Sequence, residues 1–309
     1  MAACEKFTFS STAGPALDAR LWRPEGAPRA VVQLVHGMAE HMDRYDPVAR
    51  RLNRAGLAVI GHTHLGHGPR AQMQGYFADH DGWQHLINDV HRLRGIAQEQ
   101  FPGLPYLMLG HSMGSFVTRC YLQEHGEGLA GAMLSGTGHF DRKTVTAALA
   151  AANLVCLLGG ARKPSALIDR LAFGGYNKPF APCRTDFDWL SRADAEVDKY
   201  VADPYCGFLF TGSGYRELFR GLKRLTDLEA LRRMPKELPL LLFSGDSDPV
   251  GGMGRGVEQV AREMRDAGME HVEVRLYPGG RHEILNETNR DEVVRDVIIF
   301  AEQCLGGKE

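Results

Sequence analysis

No stretch of the sequence strings together the roughly 18 apolar residues of a membrane span. The start, Met1-Ala2-Ala3-Cys4-Glu5-Lys6, lacks the basic region and following apolar stretch of a signal peptide. A soluble, cytoplasmic chain is the expectation. Charge of one sign is missing too: 36 Lys and Arg stand against 38 Asp and Glu, which removes the electrostatic case for a nucleic-acid partner. The six cysteines (Cys4, Cys120, Cys156, Cys183, Cys206, Cys304) stand singly, without C-x-x-C spacing, in a chain too large to need staples. They read as reduced thiols, mostly in packed positions. Neither a Gly-rich phosphate loop nor a dinucleotide fingerprint occurs, so no cofactor is implied. Internal repeats and low-complexity segments are likewise missing.

What is present suffices for a substantial core. At 309 residues and 44% hydrophobic, the chain can form one large α/β domain with an insertion, or two smaller domains. Lys6–Ser10 and Ala19–Arg23 read as a leading hairpin, followed by a strand at Ala30–Val35, a helix near Pro47–Ala55 and a strand at Leu57–Gly61. Trp83–Gln100 carries Leu86, Val90, Leu93 and Ala97 at helical spacing. Further strands follow at Tyr106–Leu109 and Leu129–Ser135. Strands alternating with helices imply a mostly parallel sheet covered on both faces. From His139 to Arg220 the alternation stops, giving way to a helical, loop-like stretch with several Gly and Pro. This reads as an inserted cap (139–220) on a core formed by 1–138 and 221–309. Alternation resumes with Leu238–Ser244, a helix near Val257–Ala267, a strand at Val272–Leu276 and a final helix at Asp291–Cys304.

The chemistry centres on Gly110-His111-Ser112-Met113-Gly114-Ser115, where an apolar strand ends and a helical pattern begins. A serine at the apex of such a turn is held in a strained backbone conformation. Side chains two positions before and after it would collide, which accounts for Gly110 and Gly114. Ser112 is thereby presented as a nucleophile. The residue after it, Met113, offers a backbone N–H to an oxyanion, and a second donor is needed from a loop after an earlier strand. The apolar run Val31–Val35 leading into His36-Gly37-Met38 supplies that loop.

A serine hydroxyl also needs a base, and the base needs a third group to hold its tautomer. After Leu240-Leu241-Leu242-Phe243 comes Ser244-Gly245-Asp246-Ser247-Asp248-Pro249-Val250. Asp248 is preferred to Asp246 because it lies further out on the loop, whereas Asp246 directly follows the tight Gly245 turn. Among thirteen histidines, His282 alone lies on a loop after the last strand, behind Gly279-Gly280.

The string His36-Gly37-Met38-Ala39-Glu40-His41-Met42-Asp43-Arg44-Tyr45, with Gly110–Ser115, Gly245–Val250 and Gly280-Arg281-His282-Glu283, resembles the monoacylglycerol lipase and lysophospholipase branch of the α/β-hydrolases. That branch has relatives called serine aminopeptidases. The motifs run from about residue 30 to the C-terminus, the cap being less diagnostic. The resemblance implies an α/β-hydrolase fold with an inserted helical cap. It also implies a triad of Ser112, Asp248 and His282, and an oxyanion hole from the N–H groups of Met38 and Met113. The implied substrates are glycerol monoesters or lysophospholipids. A general esterase of short acyl esters is the runner-up, and peptidase or thioesterase activity comes after that. One position departs from the pattern: Thr63 stands where the family usually has Asp in D-x-x-G-x-G, so the loop beside the oxyanion hole is expected to differ.

Other features have competing readings. His62, His64 and His67, with His36 and His41, are close enough in sequence to suggest a metal, but no Cys or carboxylate joins them at a familiar spacing; a hydrogen-bonded loop is the expectation. Val145–Gly160, nearly uncharged, reads as a packed helix that would line an acyl tunnel or touch lipid at Leu154 and Leu158, limiting any membrane contact to a peripheral one through the cap. The acidic run Asp186, Asp188, Asp194, Glu196 and Asp198 reads as a solvated helix face; facing a pocket, it would receive a cation such as a free α-amine or a choline. Glu40 and Arg44, at i and i+4, read as an ion pair buttressing the oxyanion loop. A ligand-binding scaffold without catalysis is the non-enzyme alternative. Dehalogenase or epoxide hydrolase chemistry, which would need Asp at the turn, is excluded by Ser112.

Overall fold

The computed structural model describes residues 4–306. Eight strands form one sheet: β1 (Cys4–Ser10), β2 (Ala16–Trp22), β3 (Ala30–Val35), β4 (Leu57–His62), β5 (Tyr106–His111), β6 (Gly131–Ser135), β7 (Leu240–Gly245) and β8 (Val272–Tyr277). Their spatial order is β1-β2-β4-β3-β5-β6-β7-β8. β1 and β2 pair antiparallel, as do β2 and β4, while every pair from β4 to β8 is parallel. The leading hairpin runs further than the hydrophobic pattern indicates. Its register runs from Cys4 opposite Trp22 to Ser10 opposite Ala16, adding Cys4 and Glu5 to the first strand and Ala16–Asp18 to the second, which ends at Trp22 rather than Arg23.

Strands β3 to β7 are buried along their whole length, which is why they read as continuous apolar runs rather than alternating ones. Successive residues still face opposite ways. Val31, Ala58 and Met108 join the core on one face, while Val32, Val59 and Leu107 join the core on the other. The first face is covered by α2 (Gly82–Gln100), α3 (Met113–His125) and α9 (Arg255–Asp266). The second is covered by α1 (Asp46–Arg54) and α10 (Arg290–Gly306). The one polar side chain inside β3, Gln33, is satisfied on both ends: it donates to Val90 O at 3.0 Å and accepts from Tyr106 Oη at 2.7 Å, so its burial carries no unpaired dipole.

Between β6 and β7 lies a helical insertion: α4 (Arg142–Val155) with a wider turn at Cys156–Gly160, α5 (Ala166–Phe173), α6 (Asp194–Ala202), α7 (Gly212–Leu225) and α8 (Leu228–Leu231). α7 packs on α4 and also on α2 and α3. Two expectations need correction here. Arg142–Gly160 is a 19-residue helical stretch with a mean hydropathy of 1.4 over its best window, enough by length and composition to cross a membrane. A count of consecutive apolar residues misses it because Thr144, Thr146 and Asn153 interrupt the run. It is packed on one face only: Val145 and Ala152 are buried, with Ala148, Leu149 and Val155 against the core, yet only 11% of that window is buried. Leu154, Leu157 and Leu158 are exposed, together with Leu167 and Leu171 of α5. The cysteines also depart from expectation: all six are free, but only Cys120 is fully buried and Cys183 is exposed.

Candidate active site

The turn between β5 and α3 puts Ser112 at φ 52°, ψ −122°, a region that costs a non-glycine residue energy and persists only where surroundings enforce it. They do so by proximity. A Cβ on Gly114 would stand 2.0 Å from Val35 O, and one on Gly110 would stand 2.5 Å from Gly114 O. Ser112 N–H donates to Ser135 O at 2.9 Å, tying the apex to β6.

His282, on the loop after β8, brings Nε2 to 2.8 Å from Ser112 Oγ. Its Nδ1 lies 3.0 Å from both carboxylate oxygens of Asp248. A carboxylate only accepts, so Nδ1 carries the proton and Nε2 is left to accept from the serine. Asp248 is fully buried and further held by Ser244 Oγ at 2.9 Å and Val250 N at 2.8 Å. Burial disfavours the imidazolium of His282, but the adjoining Asp248 charge outweighs it, and the histidine sits above its ordinary pKa. Asp246 instead braces the loop, accepting from Gly279 N at 2.7 Å.

The loop after β3 approaches from the other side. Gly37 N–H donates to Glu40 Oε1 at 2.6 Å and Ala39 N–H to His67 Nε2 at 3.2 Å. Met38 lies between these two committed donors, and it lines the same cavity as Met113. A side chain at Gly37 would crowd the site: its Cβ would fall 2.7 Å from Glu40 Oε1 and 3.1 Å from Ser112 Cβ. Ala39, at φ 51°, is fixed by Tyr200 Oη and Gly207 N, each donating to its carbonyl at 3.0 Å.

Behind the loop is a buried charge cluster. Arg44 donates to Glu40 Oε2 at 2.6 Å and, through two nitrogens, to Glu283 at 2.6 and 2.7 Å. The sequence shows the Glu40–Arg44 pair; it conceals Glu283, which follows His282 but lies 239 positions from Arg44. Arg44 thus joins the Gly37–Glu40 loop to the histidine loop. Thr63, the departure from the family pattern, accepts from Met42 N at 3.2 Å, holding the end of the same loop.

Of the clustered histidines, His36 and His67 brace the loop through their ring nitrogens, whereas the ring nitrogens of His62 and His64 are buried with no hydrogen-bond partner, so the hydrogen-bonded loop expected from the sequence is met only in part. His36 Nε2 accepts from His64 N at 2.9 Å. Burial lowers the pKa of His62 to about 3 and that of His67 to about 4, so both rings are neutral near pH 7. Among the described residues, the donor groups compact enough for a metal ion are His41, Asp203 and Cys206, and separately Glu237, Glu270 and His271. His36, His62, His64 and His67 are in neither group. In the first, His41 Nε2 and Asp203 Oδ2 already pair with each other at 2.8 Å.

A cavity of about 640 Å³ opens over Ser112, with Phe116, Phe140, Phe173, Phe208, Leu218 and Leu222 along its wall. Trp189, for which the sequence carries no signal, sets its ring 5.0 Å from that of His282. Leu154 and Leu158 are not part of the lining, so the acyl-tunnel role expected for them is not met. The acidic run is not one helix face either, because α6 begins only at Asp194. Asp188 accepts from Thr185 N and Oγ1, Asp198 pairs with Arg184 and Glu196 with Lys199 and Arg290. Only Asp186 of that run lines the cavity, at an exposed position.

Comparison with known proteins places the chain among hydrolases. Residues 26–289 match the family described as Serine aminopeptidase, S33. A monoacylglycerol lipase of Mycolicibacterium smegmatis is 31% identical over 293 residues, covering 94% of each chain. A monoglyceride lipase of Homo sapiens is 30% identical over 241 residues, 76% of this chain and 70% of the other. Among solved structures, a thermostable carboxyl esterase from Bacillus coagulans in complex with glycerol superposes with a TM-score of 0.92 at 31% identity, covering 99% of this chain and 100% of the other.

Proposed function

From the premise that the chain belongs to the serine aminopeptidase S33 family of α/β-hydrolases, and is a carboxylic ester hydrolase of the esterase and lipase kind, we propose that it cleaves fatty-acid monoesters of glycerol. The observation that carries the reading is the Ser112–His282–Asp248 chain of hydrogen bonds beneath a cavity whose wall is largely aromatic and aliphatic. Such a wall accommodates an acyl chain, and the serine at its floor meets the carbonyl. Relatives that cover most of the chain are monoacylglycerol lipases.

Ser112 Oγ attacks the ester carbonyl as His282 Nε2 takes its proton, and the imidazolium so formed faces Asp248. The N–H groups of Met38 and Met113 stabilise the tetrahedral oxyanion. Collapse breaks the bond to the alcohol oxygen, which receives the proton from His282. Water then attacks the acyl-enzyme by the same route and frees the fatty acid. No cofactor enters these steps. The exposed leucines of α4 and α5 would meet the lipid surface that supplies the substrate, a peripheral contact.

A second reading, an esterase of short acyl esters, is favoured by the likeness to the Bacillus coagulans carboxyl esterase. Hydrolysis of 1-monoacylglycerols, lysophosphatidylcholine, p-nitrophenyl acetate and an aminoacyl amide by wild type and Ser112→Ala separates the readings. Preference for the monoacylglycerol, lost in the variant, supports the proposal. Activity confined to the acetate ester replaces it with the second reading. Ser112-dependent cleavage of the amide points to the aminopeptidase alternative.

A further inference from the structure

Five hydrogen bonds converge on one carboxylate that the mechanism above does not use. Glu287, whose side chain is 0% exposed, accepts through Oε1 from Arg192 N at 2.9 Å and Arg281 N at 3.0 Å. Through Oε2 it accepts from Arg192 Nε at 3.0 Å, Thr288 N at 2.8 Å and Thr288 Oγ1 at 3.2 Å. Burying a carboxylate is costly unless it is paired and hydrogen-bonded, and here every donor comes from one of two segments. Arg192 belongs to the insertion. Arg281 and Thr288 belong to the loop that carries His282.

The two segments are joined at further points. Glu283 N donates to Leu190 O at 2.7 Å and His282 N to Trp189 O at 3.4 Å. Arg281 Nη1 donates to Asp188 O and Ser191 O, and its guanidinium lies 4.3 Å from the Phe180 ring centre. Ser191 Oγ donates to Asn286 O at 3.1 Å. Residues 188–192 therefore form a fixed wall of the histidine loop, in contrast to the leucine-bearing α4 and α5.

We propose that Glu287 is a positioning residue for His282, clamping residues 188–192 of the insertion to the histidine loop so that the imidazole is held between Asp248 and Ser112. The inference rests on the reading of His282 as the base. Glu287 does not touch the reacting atoms; it acts through the peptide N–H of Arg281, one residue from His282. A misplacement of about 1 Å at a reacting group can cost on the order of 100-fold in rate, and loss of this clamp frees the loop on the side facing the insertion.

The test uses Glu287→Ala and Glu287→Gln in the full chain, assayed on a soluble ester, with active sites counted by covalent labelling with a fluorophosphonate. Glu287→Ala is expected to lower kcat per labelled site by about 10- to 100-fold with KM changed less than about twofold, and to move the acid limb of kcat/KM to lower pH as the imidazole loses alignment with Asp248. In Glu287→Gln the amide oxygen can keep the Arg192 and Arg281 N–H groups, but the NH₂ faces donors, so the loss should be intermediate. Glu196→Ala, which removes a different tie of the insertion to α10, should keep the wild-type kcat and acid limb. A Glu287→Ala enzyme with fewer labelled sites but wild-type kcat per site and an unmoved acid limb overturns the proposal. Should Glu287→Ala fail to fold, the same unchanged values in Glu287→Gln overturn it. Labelling of wild type and His282→Ala checks the base separately: equal rates would sink that reading, whatever Glu287 does.

Discussion

Replacing Arg44 with methionine would leave two buried carboxylates facing a space with no cation. Glu40 and Glu283 have side chains only 4% and 5% exposed, and that of Arg44 is 11% exposed, so water cannot take over the pairing. Removing one partner of a buried pair typically costs about 3–5 kcal/mol. This is a large share of the roughly 5–15 kcal/mol by which native proteins are stable. At on the order of 2 °C per kcal/mol for large domains, the melting temperature should fall by about 6–10 °C. The pH dependence should also reverse. In the wild type, burial raises the Glu40 pKa, but Arg44, with smaller help from His111 and Tyr45, brings it below the ordinary carboxylate value. A depressed folded-state value means a stabilising contribution that is complete above the unfolded pKa of about 4.3 and lost as pH falls through the folded one. Without Arg44, burial is opposed only by the smaller effects of His111, Tyr45 and the Gly37 N–H and the folded-state pKa rises, so the deficit should be large at pH 7 and shrink toward pH 5. Urea unfolding of wild type and Arg44→Met at both pH values, with Arg44→Met/Glu283→Gln as partial rescue, measures this. A deficit below about 1 kcal/mol at pH 7, or one that does not shrink on acidification, would refute the reasoning.

Four further outcomes are expected. Gly114→Ala should abolish accumulation of active enzyme, because its Cβ would lie 2.0 Å from Val35 O, whereas Gly95→Ala, with nothing within 4 Å on helix α2, should stabilise the fold by about 0.5–1 kcal/mol; thermal melts compare them. Because serine attack needs a neutral imidazole and Asp248 holds His282 above its ordinary pKa, kcat/KM should fall as pH drops through a value above about 6.5. Asp248→Asn should lower kcat by on the order of 10⁴-fold; a wild-type acid limb below pH 6 would contradict this. Leu157→Lys with Leu158→Lys should slow hydrolysis of monoacylglycerol in vesicles by at least about tenfold while leaving a soluble short ester unaffected; equal effects on both substrates would tell against the surface role.

The sheet is legible in the sequence because its central strands are short, apolar and bounded by turn residues, and the same punctuation exposes the loops that carry Ser112, Asp248 and His282. Asp248 and Asp246 are separable by position alone, since one extends toward the histidine while the other stays at the turn. What escapes is what depends on distant parts of the chain. No pattern near Glu287 reveals that Arg192 will donate to it, and nothing near Trp189 reveals His282. Val145–Gly160 misleads for another reason: apolar composition ordinarily means burial, and here Leu154, Leu157 and Leu158 face outward. The acidic run misleads because charges close in sequence fall on a loop and then a helix, each with its own partners.

His282 reaches Ser112 across 170 positions of chain, from the loop after β8, the strand at the sheet's edge. The nucleophile's turn is complete once β3, β5, β6 and α3 are together, yet it stays inert until the edge strand docks on β7 and delivers the imidazole. Reactivity of Ser112 therefore reports that β8 is docked on β7. During refolding, a fluorophosphonate would label the chain only in molecules in which β8 is in place, so labelling counts docked edge strands where fluorescence and helical signal do not.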